Sequence, residues 1–372
     1  MSFRTTATEG PLRLVVVGAG GMGRAWIRAI GADPDTELAG IADLSAAATE
    51  AAAAEAGDPG LPQGPDAIAL ARATGADAIV NVTVPEAHHP VTTAALLAGL
   101  PVLGEKPVAA SVAEGLSLAA AAEHTGQLFM VSQSRRYHRS LHQAKRELAP
   151  LGAVGVVVVD FFKAPRFGGF REAMDSPLLL DMAIHQFDMA RFLLDADPVS
   201  VSCEEYNPAW SWYAGDAAAT AVFAMEGGAR FVFNGSWCSP GFETSWNGSW
   251  RISAERGTVL WDGEGEPAAD PRGEAGTAPD PGLEIAGSLR EFTAALRTGR
   301  EPMGSVHTNV MSLAMVEAAT QSAAQGRRVA VDDVLERSYE AAITAEREDA
   351  VLAAMKSWSS VRDALSQRSR SE

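Results

Sequence analysis

The sequence predicts an α/β protein with two domains, a doubly wound parallel sheet followed by a domain whose sheet is mostly antiparallel. Up to about residue 131, apolar strand-like runs alternate with alanine-rich helical stretches, which is typical of a parallel sheet with crossover helices. After residue 146, strand candidates follow one another across turns with few helices between them, which favours antiparallel pairing. The length of 372 residues also exceeds that of one ordinary hydrophobic core.

The predicted elements follow from these patterns. The strands expected in the first domain are 12–17, 38–42, 78–84, 102–103 and 128–131. The strands expected in the second are 154–162, 199–205, 217–225, 229–236, 249–254 and 258–261, with helices near 179–195, 286–299 and 306–326. We expect the domains to span 11–131 and 132–338, with a C-terminal helix and polar tail over 339–372.

The first predicted strand leads directly into a glycine-rich turn with the pattern GAGGMG. Gly18 permits the tight turn, Gly20 lets a pyrophosphate approach the backbone, and Gly23 lets the next helix pack close to the sheet. The helix that begins near Gly21 and Met22 offers unpaired N–H groups and a positive dipole end to phosphates. The strand, turn and helix together predict a Rossmann-type dinucleotide site.

An acidic residue, Asp43, follows the last of these glycines by twenty positions and ends the second predicted strand. Its carboxylate can accept hydrogen bonds from the adenosine ribose diol and would repel a 2′-phosphate. No arginine immediately follows Asp43 to reverse that preference. The sequence therefore predicts NAD as the cofactor, with NADP less favoured.

Composition excludes several classes of function. Thirty basic residues against 47 acidic residues give a net charge of −17, which argues against a nucleic-acid or anionic-membrane surface. Cys203 and Cys238 form no CxxC or Cys/His cluster, so we expect neither a metal centre nor a disulfide framework. Because no signal peptide and no membrane-spanning run is evident, we expect a cytoplasmic protein.

Further motifs follow the glycine turn along the chain. They are Thr83-Val84-Pro85 with His89, Glu105-Lys106-Pro107, Arg135-Arg136-Tyr137, and Asp181 four positions before His185. Through these motifs nearly the whole chain resembles the glucose–fructose oxidoreductase/inositol dehydrogenase/MocA family of nicotinamide-dependent sugar and cyclitol oxidoreductases. The resemblance implies a Rossmann domain joined to an α/β domain with an open-faced sheet. It also implies a homo-oligomer, a dimer or tetramer, that associates through that open face.

The resemblance further implies hydride transfer at a sugar carbon, with the catalytic lysine and histidine at Lys106 and His185. The chemistry of the residues agrees, because oxidising a secondary alcohol requires a proton acceptor and histidine titrates near the working pH. Asp181 lies one helical turn before His185 and can orient its imidazole. Lys106 follows the carboxyl end of a strand, where its ammonium can hydrogen-bond the reacting oxygen as negative charge develops.

Other residues are expected to bind rather than react. Beyond the glycine turn and Asp43, the residues expected at the cofactor are Thr83, Pro85, His89, Glu105 and Lys106. The residues expected at the substrate are Lys106, Arg136, Tyr137, Lys163, Asp181 and His185. For Arg136, Tyr137 and Lys163, solvated or interdomain roles are equally compatible with the sequence.

The sequence thus predicts an NAD(H)-dependent oxidoreductase that transfers hydride between nicotinamide and a secondary alcohol or ketone of a sugar, cyclitol or related polyol. Two alternatives stay open. One is redox-neutral, NAD-dependent glycoside cleavage through a transient keto-sugar, and the other is a non-catalytic ligand-sensing protein on the same fold. Reduction of an imine or another non-sugar substrate is also compatible, because no sequence feature names the substrate.

Overall fold

The computed structural model describes residues 3–271, 276–278 and 280–366. In this part, the chain forms fourteen strands and twelve α-helices. Strands β1 to β14 are Leu12–Val17, Thr36–Ala42, Gln63–Gly64, Ala78–Asn81, Val102–Glu105, Phe129–Ser132, Val154–Phe162, Pro198–Tyr206, Ala218–Met225, Arg230–Ser236, Ser249–Ala254, Gly257–Trp261, Ala268–Asp270 and Val329–Ala330. Helices α1 to α12 are Gly21–Ala32, Ala46–Glu55, Ala67–Thr74, Pro85–Leu97, Val112–Thr125, Arg139–Leu148, Ile184–Leu194, Glu284–Thr298, Val306–Gln325, Val331–Ala345, Asp349–Lys356 and Val361–Ser366.

The chain divides into two compact units, and the first of them is discontinuous. The described part of the first unit contains residues 3–134, 282–310 and 336–366, and the second unit contains the remainder. This division differs from the predicted one in that residues 132–134, 282–310 and 336–338 belong to the first unit, and the described part of the predicted C-terminal segment, 339–366, is grouped with it. The backbone explains part of the difference, because the Val131 N–H donates to the Gly304 carbonyl at 2.7 Å. Residues 367–372 of the predicted tail lie outside the described residues.

The first unit is built on a six-stranded parallel sheet in the order β3-β2-β1-β4-β5-β6. Strand order changes direction between β1 and β4, and open α/β sheets bind ligands beyond the carboxyl ends of the strands at such a point. The strand predicted over 78–84 extends three residues beyond the carboxyl end of the observed strand β4. Strand β4 stops at Asn81, because Val84 is the N-cap of α4 and Pro85 is its first residue.

The second unit is built on an eight-stranded sheet in the order β13-β12-β11-β7-β10-β9-β8-β14. Only β7 and β10 run parallel among the described pairs, so the mostly antiparallel sheet is confirmed. Along β9 and β10, buried residues alternate with partly exposed ones. One face of this sheet is therefore covered, and the other is more open.

Helix α7 packs on the covered face through Phe187. The ring centroid of Phe187 lies 4.9, 5.9 and 5.4 Å from those of Phe223, Phe231 and Phe233, and all four side chains are buried. Each such aromatic pair contributes about 0.5–1.5 kcal/mol beyond its area burial. This aromatic core fixes the helix that carries His185.

The predicted helix 179–195 begins differently from expectation. Residues Leu178–Ala183 form a π-helical turn, and α7 continues from it. A π-helical turn widens the helix locally and frequently occurs at functional sites. Asp181 lies inside this wider turn, so its spacing to His185 is not that of a regular α-helix. Among the described helices, none is both long and apolar enough to cross a membrane.

Candidate functional site

The glycine turn at the end of β1 has the close contacts that its pattern predicts. Gly18 has a φ of 104°, and a Cβ at this position would lie 2.6 Å from the Val82 carbonyl oxygen. A Cβ at Gly23 would collide with the Gly18 carbonyl oxygen. Both positions therefore require glycine for steric reasons within the chain.

Gly20 and Gly21 differ, because a Cβ at either position would meet no atom of the described residues within 4 Å. Packing inside the chain does not explain glycine here, and the open space suits a pyrophosphate close to the backbone. Helix α1 begins with Gly20 as its N-cap and has no capping side chain, so a phosphate can accept from its first N–H groups. The residues at this turn thus fit a dinucleotide.

Asp43 follows β2 and contacts the same turn. Its Oδ2 accepts a hydrogen bond from the Ala19 N–H at 2.7 Å, and its Oδ1 accepts one from the Ser45 N–H at 2.9 Å. A carboxylate has about four acceptor sites, so Asp43 can still accept from a ribose hydroxyl. The structure therefore adds a second role for Asp43, which is to hold the turn itself.

The loop after β4 is fixed by polar side chains. Asn81 accepts from the Thr83 hydroxyl at 2.7 Å, and its amide donates to the Thr92 hydroxyl at 3.0 Å. Thr83 and Pro85 lie in this loop and at the start of α4, at the carboxyl edge of the sheet.

Of the two adjacent histidines on α4, the sequence analysis chose His89 for the cofactor side. In the structure, His89 Nε2 lies 3.0 Å from the Ser117 hydroxyl on α5, and that hydroxyl donates to Glu346. The ring of His88 instead contacts the loops after β4 and β5, with Nδ1 2.7 Å from the Pro107 carbonyl oxygen. His88, and not His89, therefore contacts these loops, and the predicted place of His89 at the cofactor stays a prediction.

Lys106 lies directly after β5, as predicted, in a loop that its neighbour Glu105 holds. Glu105 accepts from the Trp26 indole N–H at 2.8 Å and from the Lys106 backbone N–H at 3.1 Å. Burial raises the pKa of Glu105, while the hydrogen bond from Trp26 and the charge of Lys106 lower it. Trp26 belongs to α1, so Glu105 joins the helix of the glycine turn to the loop of the candidate catalytic lysine.

His185 and Asp181 lie in the second unit. His185 is 6% exposed at the start of α7, and Asp181 lies in the preceding π-helical turn. Asp181 accepts from Arg171 Nε at 2.7 Å, an ion pair that the sequence did not predict. Arg171 also lies over the rings of Phe167 and Phe170, with its Cζ atom 5.4 and 4.8 Å from their centroids.

Arg136 and Tyr137, predicted to contact the substrate, are 8% and 2% exposed. The Arg136 guanidinium donates to both carboxylate oxygens of Asp188, at 2.7 and 2.8 Å, and the Ser312 hydroxyl donates to the same carboxylate at 2.7 Å. Since this ion pair is buried and bidentate, it supports α7 rather than presenting a cation to a ligand. The partner of Arg136 lies 52 residues away in the sequence, so the motif did not reveal this ion pair, and the predicted contact of Arg136 with the substrate stays a prediction.

Lys163, the remaining residue predicted to bind the substrate, also contacts other side chains of the protein. Its Nζ lies 2.9 Å from Glu243 Oε2 and 5.0 Å from the ring centroid of Trp246. The hydrogen bond from Lys163 lowers the pKa of Glu243. Trp246 is 37% exposed and Phe167 is 48% exposed, with their centroids 6.4 Å apart. Lys163 therefore lies beside an exposed aromatic surface that can stack against the apolar face of a ring.

The glycine turn, its acidic partner and the two α/β units define a dinucleotide-binding protein of the Rossmann class. The family model described as an oxidoreductase family with an NAD-binding Rossmann fold, Gfo/Idh/MocA, matches residues 12–133, and the Gfo/Idh/MocA C-terminal domain matches residues 151–260. The chain belongs to this family. The predicted family, the fold class and NAD as cofactor are confirmed, and the chain is an oxidoreductase.

Individual relatives agree with this assignment. The chain is 28% identical to D-apiose dehydrogenase of Paraburkholderia graminis over 294 residues, which cover 71% of this chain and 75% of the relative. It is 23% identical to inositol 2-dehydrogenase of Rhizobium meliloti over 348 residues, which cover 86% and 99% of the two chains. The crystal structure of an oxidoreductase from Agrobacterium radiobacter in complex with NAD⁺, L-tartaric acid and magnesium has the same fold, with a TM-score of 0.77, 21% identity, and coverage of 87% and 99%.

Proposed function

We propose that this oxidoreductase transfers hydride between NAD(H) and a secondary alcohol or ketone of a sugar, cyclitol or related polyol. The observation that carries the proposal is the position of Lys106, directly after β5 at the carboxyl edge that also holds the glycine turn after β1. An ammonium group at this edge lies where open α/β sheets bind ligands. The names of relatives such as D-apiose dehydrogenase and inositol 2-dehydrogenase support the substrate class.

In this proposal each side chain has a separate role. The glycine turn and Asp43 would hold NAD, which would supply the hydride acceptor. His185 accepts the hydroxyl proton of the alcohol, so the products are a ketone and reduced cofactor. The Lys106 ammonium hydrogen-bonds the substrate oxygen as negative charge develops on it. Asp181 stabilises the protonated imidazole, and its ion pair with Arg171 holds the carboxylate in the π-helical turn.

We propose a dimer or tetramer that associates through the open face of the eight-stranded sheet, where Val158, Val222 and Val232 are partly exposed. We propose a reducing, cytoplasmic environment because Cys203 and Cys238 are both free thiols. Sedimentation of the purified protein tests the assembly directly.

The test of the reaction is a screen of sugars, inositols and their keto forms with NAD and NADP in parallel, read at the absorbance band of reduced nicotinamide. Lys106→Ala and His185→Ala are each expected to lose turnover while binding NAD nearly as tightly as the unaltered protein does. Normal turnover in either variant would contradict the catalytic role proposed for the substituted residue. Product formation without net NADH would instead favour redox-neutral cleavage, and tight NAD binding without any turnover would favour a ligand sensor.

A further inference from the structure

Two loops at the carboxyl edge of the parallel sheet are joined by one buried side chain, His88. The loop after β4 contains Thr83, and the loop after β5 contains Lys106 and Pro107. His88 is 2% exposed, and its Nδ1 and Nε2 lie 2.7 and 3.0 Å from the carbonyl oxygens of Pro107 and Thr83. The imidazole ring thus spans the gap between the two loops.

A carbonyl oxygen only accepts hydrogen bonds, so each ring nitrogen of His88 can bond its carbonyl only by donating a proton. A neutral imidazole has one N–H group and donates to one of the two carbonyls, whereas an imidazolium donates to both. The Glu105 carboxyl lies close enough to the ring for the two groups to interact electrostatically. Burial raises the pKa of Glu105, and the charge of His88 is among the influences that lower it.

The backbone around Lys106 is consequently held on both sides. On one side, the Lys106 N–H donates to Glu105, which in turn accepts from the Trp26 indole. On the other side, His88 Nδ1 lies 2.7 Å from the carbonyl oxygen of the next residue, Pro107, and donates to it when Nδ1 carries a proton. Removing His88 would release the second of these restraints and leave the first intact.

We propose that His88 is a positioning residue for Lys106, an inference that rests on the proposed catalytic role of that lysine. His88 itself does not touch the reacting atoms. It holds the Pro107 carbonyl, and through the chain it holds the Cα atom from which the lysine side chain extends. A displacement of about 1 Å at a reacting group can reduce turnover by a large factor, so such a restraint affects the rate more than it affects binding.

Two substitutions separate the two hydrogen bonds. The amide nitrogen of asparagine takes the place of Nδ1, so His88→Asn keeps the bond to Pro107. The amide nitrogen of glutamine takes the place of Nε2, so His88→Gln keeps the bond to Thr83. We expect His88→Gln to lower kcat about tenfold with little change in KM, and His88→Asn to lower it only about twofold to threefold.

A second measurement does not need a substrate. Amide hydrogen exchange over residues 104–110, followed by mass spectrometry, is expected to be faster in His88→Gln than in the unaltered protein and intermediate in His88→Asn. The matched control is His89→Gln, because the neighbouring ring contacts Ser117 and not this loop. That control is expected to leave exchange over 104–110 unchanged.

The measurements distinguish a failure of the loop restraint, of the positioning role and of the proposed reaction. Unaltered exchange over 104–110 in His88→Gln overturns the restraint, whatever the turnover. Equal losses of kcat in both variants, or faster exchange with unchanged kcat, overturn the positioning role. If the unaltered protein turns over no substrate, the proposed reaction has failed, and the exchange measurement alone shows whether His88 holds the loop.

Discussion

Glu205, near the end of β8, gives a prediction in which pH changes stability in a calculable direction. The Ser176 hydroxyl donates to Glu205 Oε2 at 3.1 Å, and Oε1 is buried with no hydrogen-bond partner among the described residues. Burial raises the pKa of Glu205 from 4.5 to about 7, with the nearby charge of Asp216 adding to the rise and the bond from Ser176 opposing it. The folded protein therefore favours the neutral carboxyl at this position.

The perturbation is Glu205→Gln, which keeps the shape and an acceptor for Ser176 but cannot ionise. A pKa difference between 4.5 and about 7 corresponds to about 3 kcal/mol. Because the group is only partly buried, solvent screening reduces this to about 1–2 kcal/mol. Below pH 4.5 the carboxyl is protonated in both states and no penalty applies. As pH rises from 4.5 to about 7, the unfolded state loses its proton first, so stability falls.

The assay is urea unfolding followed by tryptophan fluorescence at pH 5 and pH 8. At pH 8 we expect Glu205→Gln to be more stable than the unaltered protein by about 1–2 kcal/mol, and at pH 5 by much less. The control is Glu204→Gln, an exposed carboxylate on the same strand, for which no such pH-dependent gain is expected. An equal difference at both pH values, or a loss of stability at pH 8, would refute the reasoning.

Three further predictions concern other contacts. Asp43→Ala removes the acceptor of the Ala19 N–H in the glycine turn together with the proposed acceptor for the ribose, so the affinity for NAD measured by calorimetry should fall at least tenfold; an unchanged affinity contradicts the ribose assignment. Asp188→Asn leaves the buried Arg136 guanidinium without its anion and should lower the free energy of unfolding by about 3–5 kcal/mol, whereas a change below about 1 kcal/mol contradicts a buried pair. Trp358→Phe removes the indole donor to Glu123, 2.9 Å away, and should lower the free energy of unfolding by about 1 kcal/mol; no loss in a urea titration would show that this bond contributes nothing.

The parts of the fold that the sequence predicts well are those with a local steric cause. Gly18 and Gly23 are required by contacts within a few residues or with the adjacent strand, so their pattern alone located the turn. The same local reasoning failed after Asn81, where an apolar run continues although the strand has ended and Pro85 has begun a helix. Apolar residues are expected to be buried, but they can be buried in a strand or in a loop. Apolar character therefore does not show where a buried strand ends.

The parts that sequence reasoning missed depend on contacts between distant residues. The pairing of Arg136 with Asp188, or of Asp181 with Arg171, is set by how helices and loops pack, and no periodicity records it. Whether His88 or His89 faces the loops depends on how α4 is rotated about its axis. The apolar residues of α4 do not define one face of the helix, so the sequence does not specify that rotation. The residues predicted from motif order, Lys106 and His185, keep their predicted positions at a strand end and on a helix.

The discontinuity of the first unit has a consequence for synthesis of the chain. Strand β6 is the last strand at its edge of the parallel sheet, and the backbone group that pairs with Val131 belongs to Gly304. The first unit therefore starts to emerge from the ribosome before the second but is completed after it. A fragment that ended near residue 281 would expose an unpaired edge strand, which favours aggregation. A minimal dinucleotide-binding module would need residues 3–134 joined to 282–310 and 336–366, the segments that the structure groups in the first unit.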